Sequence, residues 1–300
     1  GDLVPTYLAA IPVDPQASGD GSGYEVLINS SNSEIAVQSL FPETKDSIAY
    51  NLDLSSDDII SSLEGKLLWL RADTGVTESG GFVSLWEDES GGDVDFEQAS
   101  SGLQPSLVED VLNGYPGVEF DGVDDFLTSS QYLFTSEDSL NIVFVARAIS
   151  SSNAVPFLFD FGDQTQNAYS LTLWDNEFEF NLPRSSGGGE NEVLDDFTDY
   201  HVLSAVADFG NRQFVRENSV EINSAPVTIL QLTENEIDEA TTRLSGDGPP
   251  TLGSQSKTFS ETNRRFRGVL VETLFFEGEY DENQLLEIEQ ALMDKYGLSS

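Results

Sequence analysis

"NGYPGVEFDGVDDFL", residues 113–127, runs from an alternating apolar stretch into three aspartates, Asp121, Asp124 and Asp125, set around Gly122. Apolar residues flank the aspartates, Phe120 before them and Phe126 and Leu127 after. The segment between them, within "FDGVDDFL", has three readings. As a turn, Gly122 supplies a backbone shape that other residues resist, and the aspartates bond local amides. As a metal site, the three carboxylates form part of a Ca²⁺ cage. As a catalytic set, they hold and move protons. A Ca²⁺ cage takes six to eight oxygens, so distant loops would have to complete it. "WEDESGGDVDFE", 86–97, is the second acidic loop and offers Asp88, Asp93 and Asp95. Neither loop has the spaced acidic pattern of an EF-hand.

The same strand-and-turn rhythm fills the chain from Gly65 onward. "KLLWLRA" opens it. "LNIVFVARA" puts Leu140, Ile142, Phe144 and Ala146 on one face and Val143, Val145 and Arg147 on the other. "FLFDFG", "YSLTLW", "EFEFNL", "YHVLSAVADF", "RQFVRE", "SVEINSA" and "RGVLVETLFFEG" follow at short intervals. Runs apolar on both faces predict inner strands. Many short strands with Gly, Asp and Ser turns predict a mainly β, two-sheet antiparallel jelly-roll sandwich. "SSGGGENE", 185–192, and "SGDGPP", 245–250, read as loops. One helix closes the chain, "DENQLLEIEQALMDKYG". Asp281 is its N-cap, Gln284 completes a capping box, Leu285, Ile288, Leu292 and Tyr296 form its buried stripe, and Gly297 stops it.

Residues 1–63 differ from the rest. Pro5, Pro12 and Pro15 exclude a long helix at the start. "GYEVLIN" and "EIAVQSL", joined by "SSNS", predict a hairpin, and "SIAYNLDL" offers a third strand. "SSDDIISSLEG" reads as a capped helical turn or linker. Two units are expected, 1–63 and 64–300.

Composition narrows the function. The chain has 300 residues, 38% hydrophobic, with 19 phenylalanines, enough for a large core. There are 54 acidic and 13 basic residues, a net charge of −41. Such a surface repels nucleic acid and anionic membranes, so neither is an expected partner. It suits solubility in saline surroundings. Without cysteine there is no disulfide framework or thiol chemistry, and a single histidine, His201, argues against a transition-metal site. His201 beside an apolar run reads as structural. No signal-peptide pattern and no apolar run long enough to span a bilayer stands in the sequence, so a mature or shortened chain is expected.

An ordered series of segments carries a resemblance. "LWLRADTGV" at 68–76, "VSLWEDESGGDVDFEQ" at 83–98, "NGYPGVEFDGVDDFL" at 113–127 and the closing "FRGVLVETLFFEGEYDENQLLEIEQALMDKYGL" together resemble LamG-like members of the concanavalin A-like lectin/glucanase superfamily. The resemblance implies a jelly roll that binds sugars, sometimes with Ca²⁺. "LVPTYLAAIPVDP" with "GSGYEVLINSSNSEIAVQS" is similar to the part of a type IV pilin or pseudopilin that follows its long helix. Leu3, Val4, Pro5, Tyr7, Leu8, Pro12, Asp14, Pro15, Gly23 and Tyr24 carry that likeness. The pilin helix itself is not in this sequence; the segment is expected either to follow a removed helix or to be a β-rich leader. Together the two resemblances imply an extracellular, surface or pilus adhesin that binds glycans and sits among other pilin subunits.

Sugar binding needs an aromatic platform and planar polar groups. Trp174, with Tyr169 and Asp175, is the leading candidate, followed by Arg184 and by Trp86 in the second acidic loop. Trp69 reads as core. The glucanases this chain resembles carry acids as E-x-D-x-x-E on one strand. The nearest match is "WDNEFEFN", where Asp175, Glu177 and Glu179 alternate but do not follow that order. No nucleophile elbow and no phosphate loop occurs, and the chain is not expected to be an enzyme. A hydrolase and a purely structural filament subunit are the alternatives. "NRRFR", 263–267, is the basic cluster, expected to form ion pairs, with contact to sialic acid or to a partner as the alternative.

Overall fold

The computed structural model describes residues 55–131, 139–149, 199–208, 212–218, 250–255, 264–278 and 280–298 in continuous segments. It also describes strand segments at 24–29, 34–39, 48–50, 157–161, 169–174, 177–181, 190–193 and 220–221. The chain divides into two units, 1–59 and 60–300.

In the first unit, β1 (Tyr24–Asn29) pairs antiparallel with β2 (Glu34–Ser39), and β2 pairs with β3 (Ile48–Tyr50). The expected hairpin and third strand are present. Pro5, Pro12, Pro15 and most of the pilin-like segment lie outside the described residues. Helix α1 (Ser56–Ser61) follows. Its first turn is closed reciprocally: the Asp58 amide donates to Ser55 Oγ at 3.2 Å, and the Ser55 amide donates to Asp58 Oδ2 at 3.1 Å.

The second unit is a two-layer β-sandwich with a helix on one outer face. In chain order its strands begin with β4 (Lys66–Arg71), β5 (Val76–Ser79), β6 (Phe82–Trp86), β7 (Phe96–Glu97), β8 (Ser106–Leu112), β9 (Tyr115–Asp121) and β10 (Leu127–Thr128). Next come β11 (Ser139–Ala148), β12 (Phe157–Phe161), β13 (Tyr169–Trp174), β14 (Glu177–Asn181), β15 (Glu190–Val193), β16 (His201–Asp208) and β17 (Arg212–Glu217). The last are β18 (Val220–Glu221), β19 (Thr251–Leu252) and β20 (Arg267–Glu277). One layer runs β4–β20–β11–β16–β17–β18. The other runs β7–β10–β19–β12–β13–β14–β15. All of these pairs are antiparallel. The "SSGGGENE" loop therefore ends earlier than its composition suggests, because Glu190–Val193 pairs with β14.

Leu140, Ile142, Phe144 and Ala146 of β11 face the core between the layers, with Phe275, Leu203 and Ala205. Phe96, Leu127, Leu158, Phe159 and Leu252 come from the opposite layer. Val143 and Val145 face the other way, onto the closing helix α2 (Glu282–Tyr296). The double-sided apolar pattern thus has a specific cause: the outer face of this layer is covered by α2 rather than by water. Leu285, Ile288, Leu292 and Tyr296 are buried there, as their spacing requires. Asp281 accepts from the Asn283 and Gln284 amides, Gln284 returns the bond, and Gly297 at φ 67° ends the helix.

Candidate functional site

Among the described residues of the second unit, two places bring sequence-predicted site residues together. The first is the turn after β9. Asp121 Oδ1 accepts from the amides of Val123 at 2.7 Å and Asp124 at 3.2 Å. Asp125 Oδ2 accepts from the Asp121 amide at 2.9 Å. Gly122 sits at φ +76°, and a Cβ there would lie 2.6 Å from Arg267 Cβ. This is the turn that the sequence offered as one of its readings.

The three carboxylates also converge. One oxygen from each of Asp121, Asp124 and Asp125 lies within 4.8 Å of the others. The pairing of β9 with β20, with Asp121 opposite Arg267, carries the "NRRFR" cluster to their side. Arg265 is buried, its guanidinium 4.7 Å from the Phe126 ring centre, and it interacts electrostatically with all three aspartates. Burial pulls the Arg265 pKa below its usual value, against the pull of Asp124, Asp121 and Asp125. Asp125 is pushed up to about 7, first by burial and then by the charges of Asp121 and Asp124, against the Asp121 amide bond and Arg265. The basic cluster and the acidic turn, far apart in the chain, are one electrostatic unit. Among the described residues three carboxylates converge here, two of them holding backbone amides, where a Ca²⁺ cage takes six to eight oxygens, and Arg265 sets a cation beside them.

The second acidic loop does not join them. Asp88 Oδ1 accepts from the amides of Trp69 at 2.9 Å and Ser90 at 2.8 Å. Its Oδ2 accepts from Ser90 Oγ at 2.7 Å and the Val94 amide at 3.2 Å. Four bonds fill the lone pairs of one carboxylate. Asp95 Oδ1 accepts from the Asp88 amide at 2.8 Å, while Asp93 is exposed at φ 57°. Asp88 therefore shapes the loop, and its oxygens are taken up by these donors; Asp93 lies exposed beside it. Trp86 also needs correction as a sugar platform. It has no exposed surface, and its indole N–H donates to the Arg71 carbonyl at 2.9 Å. Trp69 is core, as its setting suggested.

The second place is the sheet formed by β12 to β15. Asp175 and Arg184 lie outside the described residues, so the register of the strands carries the description. Phe159 is in the core and pairs with Leu171, which pairs with Phe180. Cross-strand partners share a face. Tyr169, of the same parity as Leu171, belongs to that core-side set. The opposite set is mostly polar, with Phe157 opposite Thr172 and Val193 opposite Glu177 as its apolar members. Asp160 pairs with Thr251 and Ser170, Ser170 with Asn181, Thr172 with Glu179, Trp174 with Glu177, and Glu179 with Asn191. Trp174, Glu177 and Glu179 thus share a face with Ser170, Thr172 and Asn181. Asp160, Thr172 and Thr251 are buried at one end of it; Trp174 and Glu177 stand at the hairpin end. Tyr169 and Trp174 are the two ends of β13, about 17 Å apart along the strand and on opposite faces, so they do not form one platform.

Sequence reasoning missed a third cluster, which is structural. Buried Glu272 of β20 accepts from Trp69 Nε1 at 2.6 Å through Oε1, and from Lys295 Nζ at 2.8 Å and Tyr296 Oη at 2.6 Å through Oε2. A lone acid inside "RGVLVETLFF" was its only signal. Arg216 likewise reaches Glu289 of α2 at 2.9 Å, both side chains buried. His201 is half-buried at the start of β16, with Asn218 Nδ2 3.4 Å from its Nδ1.

No protein-family model matches the chain, and no curated protein matches it. Solved structures do. One is of botulinum neurotoxin type C, reported for cell entry that depends on two ganglioside molecules. It is 13% identical, with a TM-score of 0.51 over 76% of this chain and 51% of that one. The binding domain of Paraclostridial mosquitocidal protein 1 is 11% identical, with a TM-score of 0.51 over 77% of this chain and 52% of that one. Trypanosoma rangeli sialidase is 11% identical, with a TM-score of 0.51 over 79% of this chain and 34% of that one. The chain spans about half the length of the two toxin structures. At this identity the likeness is one of fold alone, that of a mainly antiparallel β-sandwich.

Proposed function

We propose that residues 60–300 are a carbohydrate-binding module of LamG-like type, and that its binding surface includes the Trp174 face of the β12–β15 sheet. The observation that carries this reading is the register. It sets an aromatic residue among hydroxyl, amide and carboxylate residues on one face, the combination that stacks on a sugar ring and bonds its hydroxyls. The fold supports it by analogy, because solved structures of this shape include one reported for ganglioside-dependent entry. Residues 1–59 act as a pilin-like segment that joins the module to other subunits at the outside of a bacterial cell. Single-site affinity is weak, and attachment comes from many copies. The module is not an enzyme, and Arg265 rather than Ca²⁺ balances the aspartate turn.

A glycan-array screen of the whole chain, with Ca²⁺ and with a chelator, tests this. Binding to at least one glycan under both conditions is the expected result. Binding lost on chelation contradicts the role given to Arg265. Absence of binding in both conditions leaves a filament or protein-binding subunit as the better account.

A hydrolase is the second reading, favoured by one observation: Glu177 and Glu179 share the Trp174 face. Alanine at both positions abolishes release of reducing sugar if that reading holds. No release by the unaltered chain removes it.

A further inference from the structure

We infer, resting on the carbohydrate reading, that the module takes uncharged glycans and rejects those bearing carboxylates or sulfates. The basic side chains that the structure describes are engaged elsewhere. Of the 13 lysines and arginines, Arg216 is buried against Glu289, and Lys295 against Glu272. Arg265 is buried beside the three aspartates of the turn. Arg71 is paired with Asp73 at 2.9 Å, and Lys66 donates to the Ser61 carbonyl at 2.8 Å. The Arg147 guanidinium lies 5.0 Å from the Tyr200 ring centre, and Arg264 and Arg267 have interactions of their own. These eight basic side chains are thus committed within the chain.

The chemistry of the face itself points the same way. The rows that share it with Trp174 hold Asp160, Glu177 and Glu179 and no lysine or arginine. Residues 151–200, which include every strand of the β12–β15 hairpins, contain ten acidic residues and one basic, Arg184. A carboxylate accepts a hydrogen bond from a sugar hydroxyl well, because the acceptor is charged. The same carboxylate repels an anionic sugar, and the net charge of −41 adds a repulsive field at long range. Bidentate recognition of a carboxylate or sulfate needs an arginine, and none stands among the described residues of this face.

The test is direct binding of the full chain to two panels: neutral maltoheptaose, laminarin and mannan, and acidic sialyllactose, alginate and heparin. Each is measured at about 20 mM and about 500 mM NaCl, where screening lengths differ severalfold. A neutral glycan that binds equally at both salts, with every acidic one at least about tenfold weaker at low salt, is the expected result. Glu177→Gln with Glu179→Gln should then narrow the gap between panels. An acidic glycan that binds best at low salt and weakens with salt overturns the inference but leaves the module a carbohydrate binder. No binding in either panel overturns the carbohydrate reading itself.

Discussion

Lys295 of the closing helix places Nζ 2.8 Å from the Glu272 Oε2 of the central strand β20, with both side chains shut away from water. Tyr296 and Trp69 donate to the same carboxylate, at 2.6 Å each. Burial, then the Glu272 charge and hydrogen bond, drive the Tyr296 pKa far above its usual value, so its hydroxyl stays a donor. Removing one member leaves an uncompensated buried charge. Lys295→Met is expected to cost about 3–5 kcal/mol of stability, read by urea unfolding. A loss below about 1 kcal/mol, the range of an exposed pair, would mean that Glu272 is satisfied without it.

Gly122 tests the turn. Its φ of +76° and the 2.6 Å that would separate an added Cβ from Arg267 Cβ both oppose any side chain. Gly122→Ala should lower stability by at least about 1–2 kcal/mol from the left-handed backbone alone. Unchanged thermal unfolding would show that the turn relaxes freely.

Asp125 gives the fold a pH signature. Its pKa is raised to about 7, so the folded state holds this proton more tightly than the unfolded chain does. The proton's contribution to stability is full below the unfolded value, about 4, and is lost as pH rises through about 7. Asp125→Asn keeps an acceptor for the Asp121 amide and removes the charge. The difference in stability between the two proteins should shift in favour of the variant between about pH 4 and about pH 7 and level off above. A difference that stays flat across that window contradicts the assignment.

Much of this was legible in the sequence. The alternation of Leu140 to Arg147 named both faces of β11, and the closing helix announced its caps and stripe. Local rules suffice there, because spacing alone sets the face. Trp86 misled, since its indole N–H is taken by the Arg71 carbonyl and its ring belongs to the core, neither of which a loop-like composition shows. Composition does not show that Asp88 takes four donors, three from its own loop and one, the Trp69 amide, from β4. Tyr169 and Trp174 are close in sequence, but one strand holds both, and its alternation sends them to opposite faces. The meeting of Arg265 with the aspartate turn depends on one long-range pairing, Arg267 with Asp121, that no local pattern encodes.

The face assigned to sugar is tested most directly by titrating the unaltered chain, Trp174→Ala and Tyr169→Ala with the same neutral glycan. Trp174→Ala should weaken binding about tenfold or more, which corresponds to about 1.4 kcal/mol, while the chain still unfolds at the same temperature. Tyr169→Ala, on the core side, should change stability more than affinity. Full affinity in Trp174→Ala would contradict the account and move the binding surface away from the β12–β15 sheet.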